Sequence, residues 1–242
     1  MQDTKHKKPV IVSVSSHGRE DYNKAMFNLI DSKKQHCDDY DMLLISVDGE
    51  NSIYNGEKIQ LGSWPNTIKF GVSDSHKHNP YQFKTFGVWA AVEMGYKKII
   101  WCDSTIRIQK NPDVLWPLVK KQGITTWDNF AYPLEEWVTD KCLTWCGYKS
   151  AKDIKQIMAC CMMFDIENEI TLPILEEWVK SSIDGCFKSK KSSNKKFKES
   201  RHDQSVMSLL LDKNKIQIND YGDLAYPNYI TKEPIFLNWG LE

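Results

Sequence analysis

Ile99-Ile100-Trp101-Cys102-Asp103-Ser104-Thr105-Ile106-Arg107-Ile108 is the stretch on which the fold turns. An apolar run stops at one acid with two hydroxyl neighbours, and a second β-like run starts at once. Such a junction places a carboxylate at the end of a buried strand, within reach of a ligand or a metal. Upstream, Pro9 to Val14 and Met42 to Val47 read as two more short buried strands. Arg19 to Gln35 reads as a helix, with Ala25, Met26, Leu29 and Ile30 recurring on one face, and Pro80 to Gly95 as a second. The order is β-α-β-α-β. It predicts an α/β fold with a mostly parallel Rossmann-like sheet flanked by helices. Ligands in such sheets gather beyond the carboxyl ends of the strands. Three polar clusters fall there: Ser15-Ser16-His17-Gly18-Arg19, Asp48-Gly49 and Asp103-Ser104-Thr105.

Further along, Asn51 to Asn66 reads as a long loop, Pro112 to Lys121 as a helix opened by proline, and Ile124 to Trp127 as a strand. Asp128 to Ser150 has no firm pattern. Met158 to Phe164 is the most apolar run and reads as a central strand. Glu167 to Ile183 and Asp203 to Leu211 read as amphipathic helices, and Lys215 to Ile218 as a last strand. The tail from Tyr221 is expected to lie over the surface. No linker or internal repeat divides the 242 residues, so one domain is expected, with a first half of about 9–110 and a second of about 111–242.

The 32 basic and 32 acidic residues cancel, which argues against nucleic acid as a partner. No apolar stretch is long enough to span a bilayer. The start, Met1 to Lys8, is polar and is no signal peptide, so the expectation is a cytoplasmic chain. Seven cysteines show no disulfide framework, and Cys142-x-x-x-Cys146 lacks the second Cys/His pair of a zinc site. Gly-x-Gly-x-x-Gly and the Walker Gly-Lys-Ser/Thr are both missing, which weakens dinucleotide and P-loop readings.

Several residues carry chemistry. Ser15, Ser16 and Arg19 lie at a strand-to-helix turn, where small residues and a helix N-terminus favour phosphate. Asp48 can take a base N–H or a ribose hydroxyl, or simply form a turn. Asp103, beside Ser104, can bind a hydrated divalent cation and diphosphate oxygens. In Arg201-His202-Asp203-Gln204-Ser205, Asp203 or His202 can act as a general base and Gln204 can bond a sugar hydroxyl; alternatively Asp203 is a helix cap. Asp165 is a second candidate base. Six lysines between Lys188 and Lys198 form a solvated loop or a loop that closes over a diphosphate.

Taken in order, Val10 to Ser16, Tyr81-Gln82-Phe83-Lys84-Thr85-Phe86, Ile100 to Thr105, and Arg201 to Ser205 resemble the GT-A glycosyltransferases. The likeness covers about residues 9–220 and is to small enzymes of bacteria and large algal viruses. It implies a hexosyl- or pentosyltransferase of glycan biosynthesis, placed in the host cytoplasm if viral. The donor would be a UDP-sugar and the acceptor a glycan or glycoprotein. By position Ser15, Ser16, Arg19 and Asp48 would meet the nucleoside, Lys84 the phosphates, Asp103 the ribose and a Mn²⁺ or Mg²⁺ ion, and Asp203 the transferred sugar. The chain departs from the family at Thr105, where the second acid of Asp-x-Asp is expected, and has no histidine after His202. Lys84 and the lysine-rich segment are the alternative source of positive charge. A nucleotidyltransferase, a binding-only domain of the same fold and, more remotely, a methyltransferase are the competing classes.

Overall fold

The computed structural model describes residues 8–16, 20–47, 60–62, 80–220, 222–227 and 232–240. Its main sheet has six strands: β1 (Val10–Ser16), β2 (Asp41–Val47), β3 (Gln60–Gly62), β4 (Lys98–Cys102), β6 (Ile124–Thr125) and β7 (Cys161–Asp165). The spatial order is β3-β2-β1-β4-β7-β6. β3, β2, β1 and β4 run parallel, and β7 runs antiparallel to both β4 and β6. A smaller sheet joins β5 (Ile106–Ile108), β9 (Phe236–Asn238) and β8 (Leu224–Ala225), in the order β5-β9-β8. The expected α/β class with a mostly parallel sheet is the observed one.

The strands read as continuous apolar runs because both faces of the sheet are covered. Val10, Val12, Ile99, Trp101, Met162 and Phe164 face one core. That core is closed by α2 (Gln82–Glu93), α5 (Thr171–Ile183) and α6 (His202–Lys213). Ile11, Ile100, Cys102, Cys161 and Met163 face the other, which is closed by α1 (Glu20–His36) and by Leu115, Trp116 and Phe236. The remaining helices are α3 (Trp116–Gln122), entered by a 3-10 turn at Pro112–Leu115, and α4 (Asp140–Cys146). Asn111 caps the turn by accepting the Asp113 N–H at 2.9 Å. Among the described residues, no helix is long and apolar enough to cross a membrane.

Four expectations are corrected. The apolar run at 158–164 is a strand, but it runs against its neighbours and β7 itself begins at Cys161. The tail does not lie over the surface: Phe236 and Leu237 are buried, and β9 pairs with β5. Lys215 to Ile218 is not a strand, because Lys215 takes a left-handed backbone (φ 58°) and Ile216 donates to Leu211 O at 2.9 Å to close α6. The long loop at 51–66 contains β3; its other residues lie outside the described ones.

Candidate active site

The site begins where β4 ends. Asp103 follows Cys102, and its backbone N–H donates to Cys160 O at 2.8 Å, because antiparallel β7 brings the residue before it alongside. The Trp101 indole N–H donates to Asp103 Oδ1 at 2.8 Å. The other neighbour of this carboxylate is Lys84, in the first turn of α2. Its Nζ lies 3.0 Å from Asp103 Oδ1 and 3.3 Å from Oδ2, and donates to Ala159 O at 3.1 Å.

The same ammonium lies 3.3 Å from Asp203 Oδ2, in the first turn of α6. That contact is an ion pair, and the buried Oδ2 has no further partner among the described residues. Lys84 and Asp203 are only 4% and 3% exposed, so one cation and one anion are held almost out of water. Burial by itself would lower the Lys84 pKa, but the charges of Asp103 and Asp203 outweigh it and hold the lysine above its ordinary range. Burial pushes the Asp203 carboxyl above the ordinary aspartate value; Lys84 pulls it back, and Asp103 adds to the rise.

Two strained residues frame this cluster. Tyr81 (φ 59°) ends the approach to α2 and His202 (φ 46°) opens α6, both in the left-handed region that non-glycine residues avoid. Their rings stack, with centroids 5.1 Å apart and planes 28° from parallel. His202 Nδ1 is hydrogen-bonded to Phe187 O. Such strain persists only where the surroundings hold it, and it concentrates at functional sites.

Lys84, Asp103, Arg201, Asp203 and Gln204 line one cavity of about 230 Å³, together with Cys160 and Asn238. Burial, then Asp103, pushes the Cys160 thiol up to about 12. A second cavity of about 420 Å³ shares Asn129, Met158, Tyr226 and Asn238 with the first. Its rim carries Phe130 and Trp239, which are 58% and 44% exposed.

The structure brings together five residues singled out in the sequence, Lys84, Asp103, His202, Asp203 and Gln204. Ser15 and Ser16 end β1 at the same edge of the sheet, while Arg19 and Asp48 lie outside the described residues. Ser104 is buried and does not line the cavity. Asp165 is not part of the site. It pairs with Lys98, at the opposite edge of the sheet, and its Oδ1 accepts the Glu167 N–H at 3.0 Å. The reversed direction of β7 accounts for this. The lysines of the lysine-rich segment do not line the cavity, and the segment is tied down by its own contacts: Lys196 meets Glu135 at 3.0 Å, Lys198 pairs with Glu136, and Asp140 accepts from Ser193 N at 2.7 Å. Asn238 and Tyr226 were missed because the tail gave no sheet signal beyond the short run Phe236-Leu237-Asn238.

Among the described residues, the site does not hold the donor set of a divalent-cation site. Thr105 stands where a second acid is expected, and its carbonyl accepts the Trp239 N–H at 3.0 Å. Asp103 is already bonded to an ammonium and an indole N–H. Among the described residues, no group of three His, Cys, Asp or Glu converges.

No protein-family model matches this chain, and no curated protein matches its sequence. Solved structures do match its shape. One is the WbbM bifunctional glycosyltransferase in its apo form, at 11% identity and a TM-score of 0.54, over 96% of this chain and 45% of that one. Another is the galactosyltransferase LgtC in complex with donor and acceptor sugar analogs, at 8% identity and a TM-score of 0.54, over 96% of this chain and 86% of that one. The chain thus has a fold found in glycosyltransferases, and spans less than half of WbbM.

Proposed function

We propose that the chain transfers a sugar from a nucleotide-sugar donor, a UDP-sugar, to a hydroxyl of a glycan. The observation that carries this reading is the meeting of Asp103 and Asp203 on one buried ammonium, inside a cavity at the carboxyl edge of a parallel sheet. The fold shared with WbbM and with LgtC, a galactosyltransferase seen with donor and acceptor sugar analogs, supports it.

In this mechanism the donor lies along the ends of β1 and β4, with its ribose and diphosphate near Asp103. The acceptor enters from the second cavity, where Phe130 and Trp239 offer aromatic faces to sugar rings. For an inverting reaction, Asp203 removes the acceptor proton. The acceptor oxygen then bonds to the anomeric carbon as the bond from that carbon to the diphosphate breaks. The proton ends on Asp203, and the electron pair leaves with the nucleoside diphosphate. The raised affinity of Asp203 for a proton suits this role. For a retaining reaction, the same carboxylate instead stabilises positive charge on the sugar. Lys84 acts as a positioning residue: its charge partly offsets the burial of Asp203, and its contacts hold Asp103 and Asp203 in place. No step is routed through a metal.

The test is release of nucleoside diphosphate from a panel of UDP-, GDP- and TDP-sugars, by wild type and by Asp103→Ala. Release from one donor, lost in the variant, is expected. Nucleotide binding with no release under any acceptor would instead identify a binding-only domain.

A further inference from the structure

Arg201 has a feature that the transfer reading leaves unused. Its guanidinium carbon lies 4.5 Å from the ring centroid of Trp137 and 4.9 Å from that of Tyr132. The two rings meet edge to face at 5.2 Å and 70°, and the arginine sits against both. Rings cover the faces of a guanidinium and leave its edge, where the hydrogen-bond donors are. Yet, among the described residues, Arg201 Nε is buried with no hydrogen-bond partner and no carboxylate pairs with this side chain. The other buried cation of this cavity, Lys84, meets two acids, and Arg107 donates to Ala25 O at 3.3 Å.

A second group next to it shares the deficit. The Gln204 backbone N–H donates to Arg201 O at 3.0 Å, and its side-chain Nε2 is buried without an acceptor. Both side chains line the 230 Å³ cavity, and Tyr132, under the arginine, lines the adjoining one. Nitrogen donors fixed in a wall and lacking acceptors fit a ligand that brings oxygens. A planar fork fits two of them on one carboxylate or phosphate. Asp103, Asp203 and Glu199 also line this cavity. The charge of Lys84 is taken up by Asp103 and Asp203, which leaves Arg201 as the cation of this cavity with no acid partner among the described residues.

We propose that Arg201, assisted by Gln204, binds a phosphate or carboxylate of the ligand in this cavity. The inference deepens the transfer reading and rests on it for the choice of ligands. Two sources present the same chemistry: the diphosphate of the donor, and the carboxylate of an acidic sugar in the acceptor.

The test is calorimetric titration of the full chain with two pairs of probes, UDP against uridine and methyl glucuronide against methyl glucoside. Wild type, Arg201→Gln and Arg201→Lys are compared, with thermal melting as the check on folding. Wild type is expected to prefer the anion at least about tenfold in one pair, which is about 1.4 kcal/mol. Arg201→Gln is expected to reduce that preference to within twofold while leaving the neutral probe unchanged. Arg201→Lys keeps the charge without the planar fork and is expected to recover only part of it. If Arg201→Gln does not fold, the lysine variant reads the same contrast. The pair that loses its preference identifies the source. The inference is overturned if wild type shows no preference in either pair, or if the folded variants retain it. Glucuronide discrimination without nucleotide release from any donor would sink the transfer reading and leave this one standing.

Discussion

Replacing Lys84 by methionine tests whether one ammonium holds the site together. The side chain is 4% exposed and neutralises two carboxylates, one of them on a residue only 3% exposed. Methionine retains much of the apolar stem and removes the charge. It leaves Asp203 buried without a cation and facing Asp103. Breaking a buried ion pair from one side costs about 3–5 kcal/mol. For a chain of this size, that lowers the melting temperature by roughly 6–20 °C. The loss also depends on pH. The folded pKa of Asp203 is raised above its unfolded value, so its contribution to stability is complete below the unfolded pKa and declines as pH rises through the folded one. Without Lys84, that pKa rises further, and the deficit of Lys84→Met is larger at pH 8 than at pH 5. Adding Asp203→Asn removes the stranded charge and restores more than half of the loss, so the pair is strongly non-additive. Urea unfolding of the four proteins at both pH values measures all of this. A loss below about 1 kcal/mol, the upper end of what an exposed pair contributes, refutes the reasoning, as does simple additivity.

Other consequences follow from the same geometry. Asp203→Asn is expected to lower kcat by about 10²–10⁴-fold with donor affinity held within twofold, and the wild-type rate is expected to rise with pH through a pKa above the usual aspartate value; an active Asn variant would remove Asp203 as the base. Phe130→Ala and Trp239→Ala are expected to raise the acceptor KM severalfold and leave acceptor-free donor hydrolysis unchanged, as steady-state kinetics will show. Chelation with EDTA is expected to leave turnover within about twofold, because Lys84 already occupies Asp103; a tenfold loss restored by Mn²⁺ would show that residues outside the described ones complete a cation site. Gly123→Ala is expected to destabilise by at least about 2 kcal/mol. Its φ is +79°, and an added Cβ would lie 2.6 Å from Thr171 Oγ1 and 2.8 Å from Ile170 Cγ2. An unchanged denaturation midpoint would contradict that.

The parts of the site that could be read in the sequence are those set by local pattern. Asp103 marks the end of an apolar run, and a run covered on both faces can only be an interior strand. Asp203 precedes a helical stripe, so its place at the start of α6 was also legible. What local pattern does not contain is direction. The run ending at Phe164 is equally apolar either way round, so nothing in it says that β7 opposes β4 or that Asp165 therefore emerges at the wrong edge. The tail failed for a related reason: Phe236 to Asn238 is too short to show a period, and its partner β5 lies far away in sequence. Lys84 could be placed on a helix but not between two acids, since its environment arises only when α2, β4 and α6 converge. Arg201 stood inside a quoted motif, but its lack of an acid partner among the described residues is a fact of three-dimensional packing.

The most direct test of the central claim is a crystal structure of the chain with the nucleotide sugar whose turnover the release assay identifies. The account predicts the diphosphate at the carboxyl edge of β1 and β4 beside Asp103, with the anomeric carbon turned toward Asp203 in the shared cavity. A nucleotide bound elsewhere, or with its sugar directed away from Asp203, would contradict it.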